Sequence, residues 1–96
     1  MPRVELTEAA DRDLSEIYAY SYRHYGEAQA ERYLLDLDAC FRRLAETPKM
    51  GRSVDHIRPG YFRFGQAKHA VFYTLLRDGI RVVRVLHVRM DARRHL

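Results

Sequence analysis

One cysteine in 96 residues leaves no partner for an internal disulfide, so a reducing cytoplasm is the expected setting. That cysteine, Cys40, falls on the apolar face of a predicted helix, where a packed thiol is expected rather than a nucleophile. Long apolar runs are missing as well: none approaches a bilayer span, and the N-terminus lacks the hydrophobic core of a signal peptide, so no membrane role is expected. Enzyme signatures are missing too. There is no Gly-rich phosphate loop, no cysteine pair, no His-Glu-x-x-His and no nucleophile elbow. The histidines at 24, 56, 69, 87 and 95 are scattered, and none sits four residues from another as a helical metal pair requires. The sequence therefore predicts no metal, no cofactor and no catalytic residue. Lysine is scarce, with Lys49 and Lys68 standing beside fifteen arginines.

What is present is an ordinary globular composition, 47% apolar and 31% charged, in a chain sized for one domain spanning residues 1–96. The net charge of +4 hides a division. Residues 1–57 hold eight Lys+Arg against eleven Asp+Glu, while residues 58–96 hold nine against two. Such asymmetry predicts a basic face, suited to nucleic acid, to an acidic protein surface or to a membrane surface, and charge alone does not choose among them. Arginine in place of lysine favours bidentate contacts with carboxylate or phosphate, and buried ion pairs.

Arg3 to Leu6 alternates polar and apolar residues and reads as a short strand. Thr7 is placed as a helix N-cap, followed by Glu8 and Asp11 where the helix dipole favours negative charge. Ala10, Leu14, Ile17, Tyr18, Ser21 and Tyr25 then recur at helical spacing, and Gly26 ends the helix. A second helix presents Ala30, Tyr33, Leu34, Leu37, Phe41 and Leu44 on one face, and Thr47-Pro48 stops it. So short a connection predicts an αα-hairpin. Residues 47–59 read as a loop. Tyr61–Phe64, Ala70–Arg77 and Ile80–Val88 read as three strands, with Asp78-Gly79 as a type I′ turn between the last two. That turn sets a register in which Arg77 faces Ile80, Leu75 faces Val82 and Tyr73 faces Arg84, laying a guanidinium against an aromatic ring. The predicted fold class is α+β, in the order β-α-α-β-β-β, with an antiparallel sheet packed against an α-helical hairpin.

Two constellations stand out. Tyr18, Tyr20, Tyr22 and Tyr25 could stack on nucleic-acid bases, but the spacing of Tyr18, Tyr22 and Tyr25 in an acidic setting favours packing against the sheet. The arginines and lysine at 58, 63, 68, 81, 84, 89, 93 and 94 form the other, and several lie inside strands. The last strand is apolar on both faces, through Ile80, Val82 and Leu86 and through Val83 and Val85. This predicts a cover on the face away from the helices, either the chain's own tail or another protein.

Three segments carry a resemblance: Gly60-Tyr61-Phe62-Arg63-Phe64, His69-Ala70-Val71-Phe72-Tyr73 and Val85-Leu86-His87-Val88-Arg89-Met90-Asp91 running on to Arg94-His95-Leu96. With the element order, the Gly51-Arg52 step and the Arg58-Pro59-Gly60 approach, the chain resembles the ParE branch of the ParE/RelE toxins along essentially its whole length. The resemblance implies a type II toxin that poisons DNA gyrase and is neutralised by a ParD-like antitoxin, which itself binds operator DNA. It makes Arg58, Tyr61, Arg63, Tyr73 and Arg84 the expected antitoxin-binding residues. His87, Arg89, Asp91, Arg93, Arg94 and His95 are the expected toxic end. The RelE branch shares the fold and cuts messenger RNA on the ribosome. It is the alternative, with His87 and His95 as its candidate groups, although this chain has no tyrosine after Tyr73.

Overall fold

The first strand, β1 (Arg3–Leu6), finds its strand neighbour near the far end of the chain. In the computed structural model, which describes residues 2–96, it lies parallel to β5 (Gly79–His87), with Val4 opposite Ile80 and Leu6 opposite Val82. Between them come α1 (Glu8–Tyr25), α2 (Glu27–Glu46), a two-residue β2 (Arg52–Ser53), β3 (Tyr61–Gln66) and β4 (His69–Leu76). Among the described residues these form one sheet of order β1-β5-β4-β3-β2, antiparallel apart from the β1·β5 edge. The expected antiparallel sheet and helical hairpin are both there. The added parallel pair makes the sheet mixed, and β2 gives the predicted 47–59 loop a short strand of its own.

The helix boundaries follow local chemistry. The Thr7 hydroxyl accepts the Ala10 amide at 3.0 Å, as a Ser/Thr N-cap does. Gly26, at φ 91°, closes α1 and opens α2, a conformation in which a side chain would be strained. The hairpin lays Ala10, Ile17, Leu37, Cys40, Phe41 and Leu44 on Val71, Tyr73, Ile80, Val82 and Val85 of the sheet. Cys40 is a core thiol, as expected, and burial pushes its pKa up, with nearby Arg43 opposing.

A second, smaller core lies on the opposite face. Val54, Ala70, Phe72 and Leu86 are buried there under Ile57, Tyr61, Ala92 and Leu96. The cover foreseen for that face is thus the chain's own tail together with the loop before β3.

Two expectations need correcting. The β4–β5 turn is Arg77-Asp78, with Leu76 opposite Gly79, Leu75 opposite Ile80 and Tyr73 opposite Val82. Neither turn residue has positive φ. Gly79 is required for a different reason: a Cβ there would run into the backbone of Arg3, so the glycine lets β1 approach. The shifted turn already puts Tyr73 opposite Val82, so the Tyr73–Arg84 contact does not form, and a bulge between Phe72 and Tyr73 then sets Arg84 opposite Phe72. The helix tyrosines also differ from expectation, since Tyr20, Tyr22 and Tyr25 are more than half exposed. The stripe facing the sheet is Ala10, Asp13, Ile17 and Ser21, and Tyr18 and Tyr22 lie about 100° around the helix from it. Ser21 is buried where the pattern placed it, and Asp13, which the pattern left out, is buried beside it.

Candidate functional site

Beyond Val82, β5 has outrun β1, and its edge is taken up by α1 instead of a strand. Thr7 donates its hydroxyl to the Val83 carbonyl at 2.7 Å. One turn and a half further along α1, Asp13 accepts the Val85 amide at 2.9 Å. The same carboxylate accepts from two of the three Arg84 nitrogens, Nε at 2.8 Å and Nη2 at 2.9 Å. The remaining arm of Arg84 donates to the backbone carbonyl of His95 at 3.0 Å. Asp13 and Arg84 have side chains only 9% and 21% exposed, so the pair is charge-assisted, bidentate and largely out of water. The hydrogen bonds Arg84 donates to Asp13 raise its pKa further, against the effect of burial. One arginine therefore joins the first helix, the last strand and the tail.

A cleft of about 760 Å³ opens beside this pair, between α1, the β3–β4 turn, the end of β5 and the tail. Its walls include Ile17, Tyr20, Tyr25, Tyr33, Met90 and His95. At its base the Tyr33 hydroxyl meets His69 Nδ1 at 2.5 Å, and the His69 and His87 rings meet edge to face, 5.5 Å apart. Burial, then the neighbouring His87, lowers the His69 pKa from 6.5 to about 4, so His69 is neutral at pH 7. Burial likewise raises that of Tyr33, and the simplest assignment has the phenol donating to the imidazole. The cleft's charged groups balance, Asp13 and Glu16 against Lys68 and Arg84.

The basic surface lies on the sheet face away from the helices. Arg63 of β3 stands directly opposite Arg52 of β2. Among the described residues neither arginine has an ion pair, although like charges directly opposite one another weaken a sheet. Arg58 lies over the Tyr61 ring, 5.7 Å from its centre. Arg81 is paired with Glu5 at 3.3 Å.

The expected antitoxin residues therefore divide. Arg58, Tyr61 and Arg63 come together on this face. Tyr73 does not: it is 0% exposed, and its hydroxyl donates to the Pro48 carbonyl at 2.7 Å and accepts the Gly51 amide at 3.0 Å. It is a core residue that fastens the end of α2, and no partner can reach it. Arg84 stands apart from that face as well, since Asp13 and the His95 carbonyl take its guanidinium.

The expected toxic end forms one unit. His87 closes β5 and accepts the Arg89 amide at 3.1 Å. Asp91 caps a single 3₁₀ turn, Ala92–Arg94, by accepting the Arg93 amide at 3.0 Å. Arg89, Arg93 and Arg94 point outward, while Ala92 and Leu96 pack on the second core. His95 lines the cleft with His87. Sequence reasoning missed Asp13, Tyr33 and His69. Only Asp13 left a signal, as an acid three residues after Ala10 and four before Ile17 on an otherwise apolar stripe.

Among the described residues no group of three metal-ligating side chains converges, and no helix is long and apolar enough to cross a membrane. Residues 4–92 match the family model described as the ParE toxin of the type II toxin–antitoxin system parDE. A protein from Mycobacterium tuberculosis named Toxin ParE1 is 44% identical over 95 residues, covering 98% of this chain and 97% of that one. Toxin ParE1 of Caulobacter vibrioides is 41% identical over 98 residues, covering 100% of this chain and 99% of the other. Toxin ParE of Escherichia coli is 34% identical over 88 residues, covering 90% and 84%. Among solved structures, a chain of the chromosomal ParDE TA system from P. aeruginosa superposes with a TM-score of 0.79 at 19% identity. It covers 93% of this chain and 98% of that one, a likeness of fold.

Proposed function

The chain belongs to the ParE toxin family of type II toxin–antitoxin systems, and we propose that it poisons DNA gyrase and is neutralised by a ParD-like antitoxin. The observation that carries the antitoxin half is the facing pair Arg52 and Arg63. Two unpaired guanidiniums held opposite each other are repulsive until an anion sits between them, and a carboxylate-bearing peptide supplies it with bidentate geometry. Tyr61 and Arg58 extend the same surface. The outward Arg89, Arg93 and Arg94 belong to a different element, the docked tail, and we assign contact with the gyrase complex to them. Poisoning by binding requires no bond-making centre in the toxin itself. Operator DNA enters only through the antitoxin.

The test pairs gyrase supercoiling and DNA-cleavage assays with a ribosome-dependent RNA-cleavage assay. Persistent gyrase-cleaved DNA with intact messenger RNA is the expected result; RNA cleavage with normal gyrase turnover overturns it. A second reading, the ribosome-dependent nuclease, is favoured by Tyr33, His69 and His87 meeting in one cleft. Its weakness is charge: a phosphodiester would enter a cleft where Asp13 and Glu16 offset Lys68 and Arg84.

A further inference from the structure

The tail has few means of holding its place. It leaves the sheet after His87, caps its own 3₁₀ turn through Asp91, and rests two small apolar contacts, Ala92 and Leu96, on the second core. Two polar bonds tie it to the body of the protein: the Val88 amide donates to the Lys68 carbonyl at 2.9 Å where the tail begins, and near its end the His95 carbonyl accepts the Arg84 arm. Arg84 can hold that position because Asp13 takes its other two nitrogens, and Asp13 is itself oriented by the Val85 amide. The order of dependence is therefore α1 to Asp13, Asp13 to Arg84, and Arg84 to the tail. The bulge on β5 makes this possible. It places Arg84 at a stretch of edge that β1 leaves uncovered, where a side chain reaches both the helix and the tail.

We infer that Arg84, aimed by Asp13, is a positioning residue that latches the C-terminal tail, and that action on gyrase requires the latched tail while antitoxin capture does not. This rests on the proposed contact between tail and gyrase. Antitoxin capture is assigned to Arg52, Arg58 and Arg63, none of which touches the latch in the structure's ion pairs among the described residues. A tail that spends only part of its time docked presents Arg93 and Arg94 in the active arrangement only for that fraction. The concentration needed for half-maximal effect rises by the inverse of that fraction, while the effect at saturation is preserved.

The experiment uses the full chain with Asp13→Asn and with Arg84→Lys, beside a chain ending at Asp91. Asn keeps an oxygen for the Val85 amide, and Lys keeps the charge but cannot bridge Asp13 and His95 together. Three quantities are measured: trypsin cleavage after Arg93 and Arg94, the toxin concentration giving half-maximal gyrase-cleaved DNA, and affinity for a C-terminal antitoxin peptide. Both point variants are expected to lose the tail to trypsin faster and to need ~10-fold more toxin, as loss of one charge-assisted bond implies, with an unchanged plateau and unchanged peptide affinity. A purely structural role removes folded protein, so it raises the gyrase midpoint and lowers the number of peptide-binding sites per chain by the same factor; that joint loss overturns the latch, which leaves the number of peptide sites unchanged. An unchanged midpoint in both variants, with the shortened chain inactive, overturns it as well. Should the shortened chain still poison gyrase, the tail reading itself is wrong, and the latch falls with it.

Discussion

Tyr73→Phe separates a core residue from a binding residue in a single atom. The hydroxyl makes two bonds, donating to Pro48 at 2.7 Å and accepting from Gly51 at 3.0 Å, and its ring is 0% exposed. Phenylalanine keeps the ring and its stacking on Phe62, whose centre lies 5.6 Å away, so no apolar burial is lost. What is lost is two hydrogen bonds, each worth about 1 kcal/mol net. Pro48 and Gly51 are half-buried, so water can reach them and the full desolvation penalty is not added. The expected destabilisation is about 2 kcal/mol. With a urea slope of about 1 kcal/mol per M for a chain of this size, the midpoint should fall by about 2 M with the slope unchanged. Affinity for the antitoxin peptide should not change once the protein is folded. A midpoint shift below about 0.5 M would refute the anchoring role. Weakened peptide binding at unchanged stability would return Tyr73 to the surface on which its sequence context placed it.

Arg63→Ala and Arg52→Ala should each weaken binding of an acidic antitoxin peptide and flatten its salt dependence in calorimetry, while the free protein gains slightly in stability by losing a like-charge pair. Unchanged affinity in both would move the antitoxin elsewhere. Leu37→Ala, at a fully buried position between the hairpin and the sheet, should cost about 2–5 kcal/mol in urea unfolding. Gly79→Ala should push β1 off β5, seen as faster hydrogen exchange at the amides of Arg3 to Leu6 with slower exchange retained in β4. His69 gives a pH signature. The unfolded chain binds a proton near pH 6.5 and the folded chain only near 4, so stability falls as pH drops through that window. His69→Gln should remove about 1 kcal/mol of that loss, a figure reduced from the full shift because the ring is partly solvent-exposed. An identical pH profile for the variant would show that His69 charges freely in the folded state.

Much of the framework could be read in advance from local rules. Thr7, Gly26 and Thr47-Pro48 mark helix ends by backbone chemistry that does not depend on the rest of the molecule. The buried face of α2 followed from its spacing because every large apolar side chain on that helix except the exposed Leu35 lies on one side. The same method placed Ala10, Leu14, Ile17 and Ser21 of α1 on the core but wrongly added its tyrosines and passed over Asp13. Its tyrosines are amphipathic and satisfy an apolar pattern without being buried, whereas Asp13 violates the pattern and is buried because Arg84, 71 residues away in sequence, neutralises it. The β4–β5 register failed for a related reason. A glycine after aspartate signals a turn locally, but here the glycine answers the backbone of Arg3.

The candidate site shows the same division. Composition and order alone determined that the chain carries a basic second half and a ParE-like succession of elements, since these depend on residue types and spacing. Which arginines are free and which are spent is a question of partners distant in sequence, and only the tertiary structure decides it. Arg52 and Arg63 are left facing each other on the sheet, Arg81 is neutralised by Glu5, and Arg84 is consumed by Asp13 and the His95 carbonyl. All four read alike in the sequence. Their separation into a facing pair, an edge ion pair and a bridge from α1 to the tail comes from three-dimensional neighbours, because electrostatic and hydrogen-bond energies depend on distance through space and not along the chain.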